Sequence, residues 1–183
     1  IMYKVTYPKM DKGNFMMDFM PNKMVLKFKD DRYVTELTAG MGMFKSSFVI
    51  DQDNDQFSQM VKLINKKYAL TLSGIQIPES IAKLPAYNIE ETGDTKKILN
   101  YNCKMAIVTV DNESQDAFPV YYTDQIHIND PNWCTPFSPI NGVLLEYQYE
   151  KYDVCMRFEA VKIKFTEIDD SEFDIDEDYK MIS

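Results

Sequence analysis

Few residues of this chain have the types and spacing that catalysis or metal binding would need. His127 is the single histidine, and on a strand the nearby Asp124 would point to the opposite face. A lone histidine without cysteine or carboxylate partners at ligand spacing rarely forms a metal site. We therefore expect a structural or surface role for His127, and no metal.

Three alternating aspartates, Asp51, Asp53 and Asp55, resemble the opening of a calcium-binding loop. An EF-hand also needs glycine at its sixth position and glutamate at its twelfth, where this chain has Gln56 and Lys62. The acidic run is therefore predicted to be a solvated hairpin turn.

Three glutamates near the C-terminal end could in principle supply the paired carboxylates of a hydrolase: Glu146, Glu150 and Glu159. Strand alternation puts Glu146 and Glu150 on the face opposite Leu145, among solvent-facing positions, whereas a glycosidase pair must converge in a cleft. The chain also lacks the nucleophile-elbow, P-loop and dinucleotide-binding fingerprints. No catalytic residue and no cofactor are predicted, and we do not expect an enzyme.

The cysteines do not form a disulfide framework. The chain has Cys103, Cys134 and Cys155, an odd number without any C-x-x-C pair. We expect three free thiols, and if a bridge forms, Cys134–Cys155 is the favoured pair.

Most of the chain alternates apolar and polar residues with period two, the pattern of strands with one buried and one solvated face. Met24, Leu26 and Phe28 lie at alternate positions, and the same alternation recurs throughout the chain. We predict a mainly β (α+β) fold, a single curved antiparallel sheet of about nine to eleven strands within one domain, residues 1–183. The predicted strands lie near 1–8, 23–29, 32–38, 44–51, 56–64, 67–74, 86–91, 95–99, 102–110, 117–123, 142–149 and 152–165.

Helix is predicted in only two places, residues 78–84 and a one-turn piece within 13–20. The last hairpin turns at Glu150–Lys151, and its second strand changes apolar parity near Glu159–Ala160. A β-bulge produces such a slip and bends a long strand, which favours curvature. Leu145, Tyr147, Val154, Met156 and Phe158 are predicted to be buried.

The acidity of the chain is local. The net charge is −9, but eight acids and no bases lie between Glu167 and Asp178, so the rest is nearly neutral. Residues 167–183 form an acidic segment whose charges at 167–178, crowded without bases, are expected to contribute little stability. Its Phe173 and Tyr179 are expected to anchor on the body. The sequence has no basic cluster, so nucleic-acid binding is not expected. No apolar run is long enough for a membrane span.

Methionine is concentrated at the start of the chain, with eight of twelve in the first 43 residues. Methionine adapts to varied apolar partners, although filling an ordinary core is the favoured reading of this pattern. If an apolar groove exists, the Met-rich segments 10–24 and 41–43 are its candidate rim. The candidate ligand-binding residues are Phe15, Met16, Phe19, Met20, Met41 and Met43.

Motifs in the C-terminal half resemble the GLPGLI family of bacterial envelope proteins. The stretch Gly93-Asp94-Thr95-Lys96-Lys97-Ile98 followed by Tyr101-Asn102-Cys103-Lys104 is similar to their G-x-T-K-x-I-x-G-Y-x-C-x-K-A pattern. Ile140-Asn141-Gly142-Val143-Leu144-Leu145-Glu146 resembles the motif that gives the family its name. Further resemblances are Val120-Tyr121-Tyr122-Thr123 and the closing Ser171-Glu172-Phe173 with Tyr179. Asn100 and Asn141 depart from the expected glycine and proline.

The resemblance implies a fold similar to the periplasmic lipoprotein carriers of the LolA and LolB type, an incomplete antiparallel half-barrel whose inner side is filled by short helices. It also implies a leader or lipoprotein anchor upstream of Ile1. The implied location is the periplasm, the outer membrane by an anchor, or the outside of a Gram-negative bacterium.

Three functions remain open. The first is a non-enzymatic, monomeric envelope protein that binds a lipid or other apolar ligand in the groove of its sheet. The second is a structural or protein-interaction module with a self-filled groove and an envelope protein as partner. A hydrolase is the least favoured.

Overall fold

The computed structural model describes residues 1–11, 13–111, 115–151 and 154–182, with no account of the Lys151 side chain. Its main feature is one twelve-stranded sheet, in the spatial order β12-β6-β5-β4-β3-β2-β1-β11-β10-β9-β8-β7. The strands are β1 (Met2–Thr6), β2 (Lys23–Lys29), β3 (Arg32–Ala39), β4 (Phe44–Asp51), β5 (Gln56–Leu63), β6 (Lys66–Ser73), β7 (Tyr87–Ile98), β8 (Tyr101–Val110), β9 (Ala117–Thr123), β10 (Val143–Lys151), β11 (Val154–Lys162) and β12 (Lys180–Met181). The order is linear with β12 and β7 as edges, so the sheet is open and the prediction of a mainly β fold is confirmed.

The structure corrects the predicted strands in three places. Residues 86–91 and 95–99 belong to one strand, β7, which a register shift between Glu91 and Thr95 interrupts. The prediction missed β12, which pairs with β6 in parallel and makes the sheet not purely antiparallel. β11 ends at Lys162, three residues earlier than predicted, and Tyr152 lies outside the described residues.

Helical structure is as sparse as predicted, but shorter. The predicted helix 78–84 is α1 (Gln76–Ile81), whose Ile77 side chain is buried. Residues 13–20 contain a 3₁₀ helix, Phe15–Phe19, because Asn14 caps its first turn and Pro21 follows directly. A second 3₁₀ turn, Gly40–Gly42, links β3 to β4 with positive φ at all three residues.

The short link between β6 and β7 requires the sheet to curve. These two strands are separated by ten strand spacings, about 48 Å in a flat sheet. The link runs from Ser73 to Tyr87 and includes the helix α1. With helical rise in α1 and full extension elsewhere, it spans only about 36 Å. The predicted curvature therefore follows from the length of the connection.

One core cluster fills the face of the sheet formed by β1, β10 and β11. It contains Tyr3, Leu145 and Phe158, and Tyr147 stacks on Phe158 with ring centroids 4.8 Å apart. Leu145 is fully buried and is the extra residue of a bulge in β10 opposite β9. Leu145 and Phe158 are buried as predicted, whereas Tyr147, Val154 and Met156 are half-buried and pack against the same cluster. The predicted bulge in β11 appears as a register shift between Ala160 and Lys162.

A second cluster covers β7, β8 and β9. The loop between β9 and β10 supplies Phe137 and Ile140, which pack on Val108, Val120 and other strand residues. Asn132 holds this loop, since its buried Nδ2 donates to the carbonyls of Ile140 at 2.7 Å and Gly142 at 2.9 Å. This half of the sheet is thus filled by the chain's own loop.

The acidic C-terminal segment lies across β2 to β6. We call residues 168–181 the C-terminal strap. Its Phe173 packs on a third cluster formed by Val34, Val49, Met60 and Ala69, joined by Ile168, Ile175 and Tyr179. The predicted anchoring by Phe173 and Tyr179 is confirmed.

The acidic side chains of the strap have basic partners from other parts of the chain. Asp170 pairs with Lys29 at 2.9 Å and also with Arg32. Glu172 pairs with Lys27, and Asp178 with Lys67. The bases come from β2, β3 and β6, far away in sequence.

Candidate ligand-binding face

The strands β2 to β6 carry most of their large apolar residues on the face opposite the strap. Directly paired residues in neighbouring strands share a face, and so do residues two apart. The register therefore aligns four rows on this apolar face: Phe28, Tyr33, Ile50, Phe57, Leu72; Leu26, Thr35, Phe48, Gln59, Leu70; Met24, Leu37, Ser46, Val61, Tyr68; and Ala39, Phe44, Leu63, Lys66.

Burial falls off across the apolar face from β2 toward β6. Met24 is buried, and Leu26 and Leu37 pack on the first core cluster. Within the part of the chain that the structure describes, Phe57 and Leu70 belong to none of the three clusters and stay half-buried. The rings of Phe48 and Phe57 lie 5.7 Å apart between centroids. The face is thus a half-exposed apolar floor beside a filled core.

A loop closes one end of this face. Gln52 Nε2 donates to the carbonyl of Asp130 at 2.9 Å, and Asn129 Nδ2 donates to Asp31 Oδ1 at 3.1 Å. These bonds tie the loop after β9 to the β2–β3 and β4–β5 turns. Tyr33 and Ile50, at this end of the floor, are buried.

The predicted ligand-binding residues lie at the other end. Residues 7–22 connect the end of β1 to the start of β2, and Gly40–Gly42 connects β3 to β4; Lys23 pairs with Thr38, so the two connections are neighbours. Phe15, Met16, Phe19, Met41 and Met43 are exposed there, and Met41 is fully so. Met20 alone packs inward, on the first core cluster.

Sequence reasoning missed two members of this group. Leu63 and Ile64 form the β5–β6 turn and are exposed, and the Ile64 amide donates to the carbonyl of Met43 at 2.6 Å. The signal was present, since an apolar pair directly precedes Asn65 in a hairpin turn, a position where polar residues are usual. We call Phe15, Met16, Phe19, Met41, Met43, Leu63 and Ile64 the apolar fringe.

The prediction that Glu146 faces solvent is wrong. The β10–β11 register places Glu146 on the face opposite Tyr147, as predicted, but Glu146 is only 7% exposed. Lys96 Nζ donates to its Oε2 at 2.6 Å, and Arg157 donates to its Oε1. Arg157 Nε also lies 3.2 Å from Glu159, while Glu150 pairs with Lys9. Two cations thus neutralise Glu146, and its cross-strand partner Glu159 shares one of them, Arg157.

A recess of about 250 Å³ lies at the β7 register shift, lined by Glu91, Asp94, Thr95, Lys104 and Tyr122 among others. Tyr122 donates its hydroxyl hydrogen to Glu91. Burial, followed by this hydrogen bond, raises the pKa of Tyr122 well above its ordinary value. The phenol therefore stays protonated and serves as a donor, not as a base.

The remaining candidates have local partners. Asp51 accepts from the Asn54 amide at 3.1 Å and so caps the predicted turn. Asp124 pairs with Lys104 at 2.8 Å, and His127 is exposed. Among the described residues, no group of three or more His, Cys, Asp or Glu side chains is placed to hold a metal ion.

The three cysteines are free thiols, in line with the expectation. Burial raises the pKa of Cys103 and of Cys155, and it raises the pKa of Cys134 to about 12. Because the thiolate is the nucleophile, a raised pKa lowers the reactivity of these groups.

In the described ranges, no helix is both long and apolar enough to cross a membrane. The sequence matches no protein-family model, and it has no significant similarity to a curated protein.

Proposed function

We propose that this protein binds a lipid or another chain-like apolar molecule on the apolar face of β2 to β6, and that it does so without catalysis. One observation carries the proposal. The chain lays its own strap over the more polar face of these strands, while the more apolar face keeps half-exposed side chains such as Phe57 and Leu70. Large exposed apolar patches on soluble proteins mark binding sites.

The lining of the face favours an apolar chain. Most of its residues are aliphatic or aromatic, and Gln59 and Thr35 are among the few polar side chains in the rows. Apolar sites with few polar groups hold a ligand mainly by its hydrophobic part. Selectivity for a head group is therefore expected to be weak. The envelope location, the GLPGLI relationship and the half-barrel of the LolA type belong to this proposal, and the motif resemblance is their support.

The test is binding of a fluorescent fatty acid in the absence of vesicles. The parent protein is expected to bind it, and Leu70→Gln with Phe57→Ser is expected to weaken binding at least about tenfold, since both side chains would contact the chain. The matched control is Val161→Ser with Phe165→Ser, two exposed apolar residues outside this face. No binding by the parent protein, or equal binding by the variant with Leu70→Gln and Phe57→Ser, would overturn the proposal.

The alternative is an interaction or structural module with a self-filled groove, which one observation favours. Met10, Met17 and Met20 already pack on the first core cluster, so the segment between β1 and β2 fills part of the face. If the parent protein binds no fatty acid, this alternative remains, and capture of an envelope protein partner becomes the relevant experiment.

A further inference from the structure

The two ends of the β2–β6 region differ in polarity. At one end the turns are Asp30–Asp31 and Gln52–Asp55, which are polar and largely acidic. At the other end, three neighbouring connections carry the apolar fringe. Turns are normally polar because they face water. Exposed fractions of 74% for Phe15 and 64% for Ile64 are thus unusual. The polar end has Ile75, just after β6 and also 74% exposed, whereas this end has seven exposed apolar side chains.

Lysines accompany the apolar fringe. The register places Lys23, Thr38, Lys45, Lys62 and Lys67 in one row across β2 to β6, next to the fringe, and Lys66 lies in the β5–β6 turn. This is a concentration of positive charge in a protein with a net charge of −9.

Among the described residues, two acidic side chains form ion pairs with lysines of this row. Glu36 pairs with Lys45, and Asp178 of the strap pairs with Lys67. In the described part of the chain, Lys23, Lys62 and Lys66 form no ion pair. Three cationic groups are therefore available to an anionic partner beside seven exposed apolar side chains.

We propose that this end of the sheet docks on the surface of an anionic lipid bilayer. The fringe residues would enter the boundary between head groups and acyl chains, and the lysines would meet the anionic head groups. Lysine suits this position because its stem extends along apolar surface while its ammonium stays in water. A second copy of the chain fits less well, because an isologous contact would bring the same lysine row against itself. Docking does not require that the apolar face bind a ligand.

Sedimentation with vesicles tests the proposal. The full chain is mixed with vesicles of phosphatidylcholine alone or of phosphatidylcholine with phosphatidylglycerol. We expect binding to the anionic vesicles that weakens as salt is raised. Lys62→Gln with Lys66→Gln is expected to reduce binding about fivefold for each lysine. Met41→Ser with Ile64→Ser is expected to reduce it at least about tenfold.

Matched controls distinguish effects at this end of the sheet from the general effects of removing charge or apolar surface. Lys97→Gln with Lys164→Gln removes two exposed lysines elsewhere, and Val161→Ser with Phe165→Ser removes exposed apolar side chains elsewhere. Both are expected to bind like the parent. Failure of the parent to bind anionic vesicles, or equal losses in the control variants, would overturn the proposal. A dimer of the parent protein that the Met41 and Ile64 changes dissociate would also overturn it, in favour of self-association. Fatty-acid binding without vesicles is measured in parallel, so that loss of one activity is distinguished from loss of the other.

Discussion

Lys29 Nζ donates to Asp170 Oδ1 at 2.9 Å, joining β2 to a strap residue 141 positions later in the chain. The same carboxylate accepts from Arg32, whose guanidinium carbon lies 5.0 Å from the centre of the Phe173 ring. Charge and aromatic packing thus act together where the strap crosses the sheet. Exposed ion pairs contribute little free energy by themselves, so most of the docking energy is expected from Phe173.

Phe173→Ala is therefore expected to lower the free energy of unfolding by about 3 kcal/mol, the lower range for removing a buried phenylalanine. Chemical denaturation measures it. Phe165→Ala is the control, since this side chain is 76% exposed and its loss should change little. Equal stability of the two variants would show that the strap adds nothing to the fold.

Acidification is expected to loosen the strap. The hydrogen bond from Lys29, followed by that from Arg32, lowers the pKa of Asp170 below its ordinary value. The contribution of the ionised Asp170 to folding stability is therefore present above its pKa in the unfolded chain, about 3.9. It is lost as the pH falls through the lowered pKa of the folded protein. Amide hydrogen exchange at Ile175 should accelerate over this range. In Asp170→Asn the acceleration attributable to this group should be absent, and an unchanged pH dependence would contradict its role.

Leu145→Ala is expected to destabilise the protein by about 2–5 kcal/mol, because a fully buried side chain in a bulge leaves a cavity that the sheet cannot close. Thermal melting measures the change. Val161→Ala, at a half-exposed position near the β11 bulge, should shift the melting temperature much less. An unchanged melting temperature in Leu145→Ala would place the bulge elsewhere.

Glu146→Gln tests whether the buried carboxylate is structural. It would leave the charges of Lys96 and Arg157 without their shared partner, and a loss of about 1–3 kcal/mol in unfolding free energy is expected. Glu79→Gln, on the exposed side of α1, is the control. Fatty-acid binding should be the same in both variants, and a selective loss of binding in Glu146→Gln would instead link this carboxylate to the ligand.

The methionines near the fringe are expected to divide into two groups. Met16→Ser and Met43→Ser should leave the melting temperature nearly unchanged, because both side chains are about half exposed. Met20→Ser should lower it, since Met20 packs on the first core cluster. If the proposed rim contacts the ligand, the first two changes weaken fatty-acid binding without loss of stability. Equal melting temperatures in all three variants would contradict the inward packing of Met20.

Alternation along the chain determined the strands. The apolar and polar parities of Met24 to Lys29, or of Tyr68 to Leu72, specify which side chains share a face, and this is a local property of extended backbone. The Pro and Gly positions likewise determined how little helix could form. The resemblance of residues 93–146 to envelope proteins added an expected half-barrel and location, which stay proposals.

Only the tertiary structure decided which faces meet. Alternation cannot show that β1 lies between β2 and β11, or that β12 joins β6, because pairing depends on residues far apart in sequence. Glu146 lies on the face opposite Tyr147, as alternation predicts, but Lys96 and Arg157 cover its carboxylate, and local sequence cannot show these contacts. The acidic segment looked unpaired for the same reason: its partners Lys27, Lys29, Arg32 and Lys67 are more than a hundred residues away and come together only when the strap crosses the sheet.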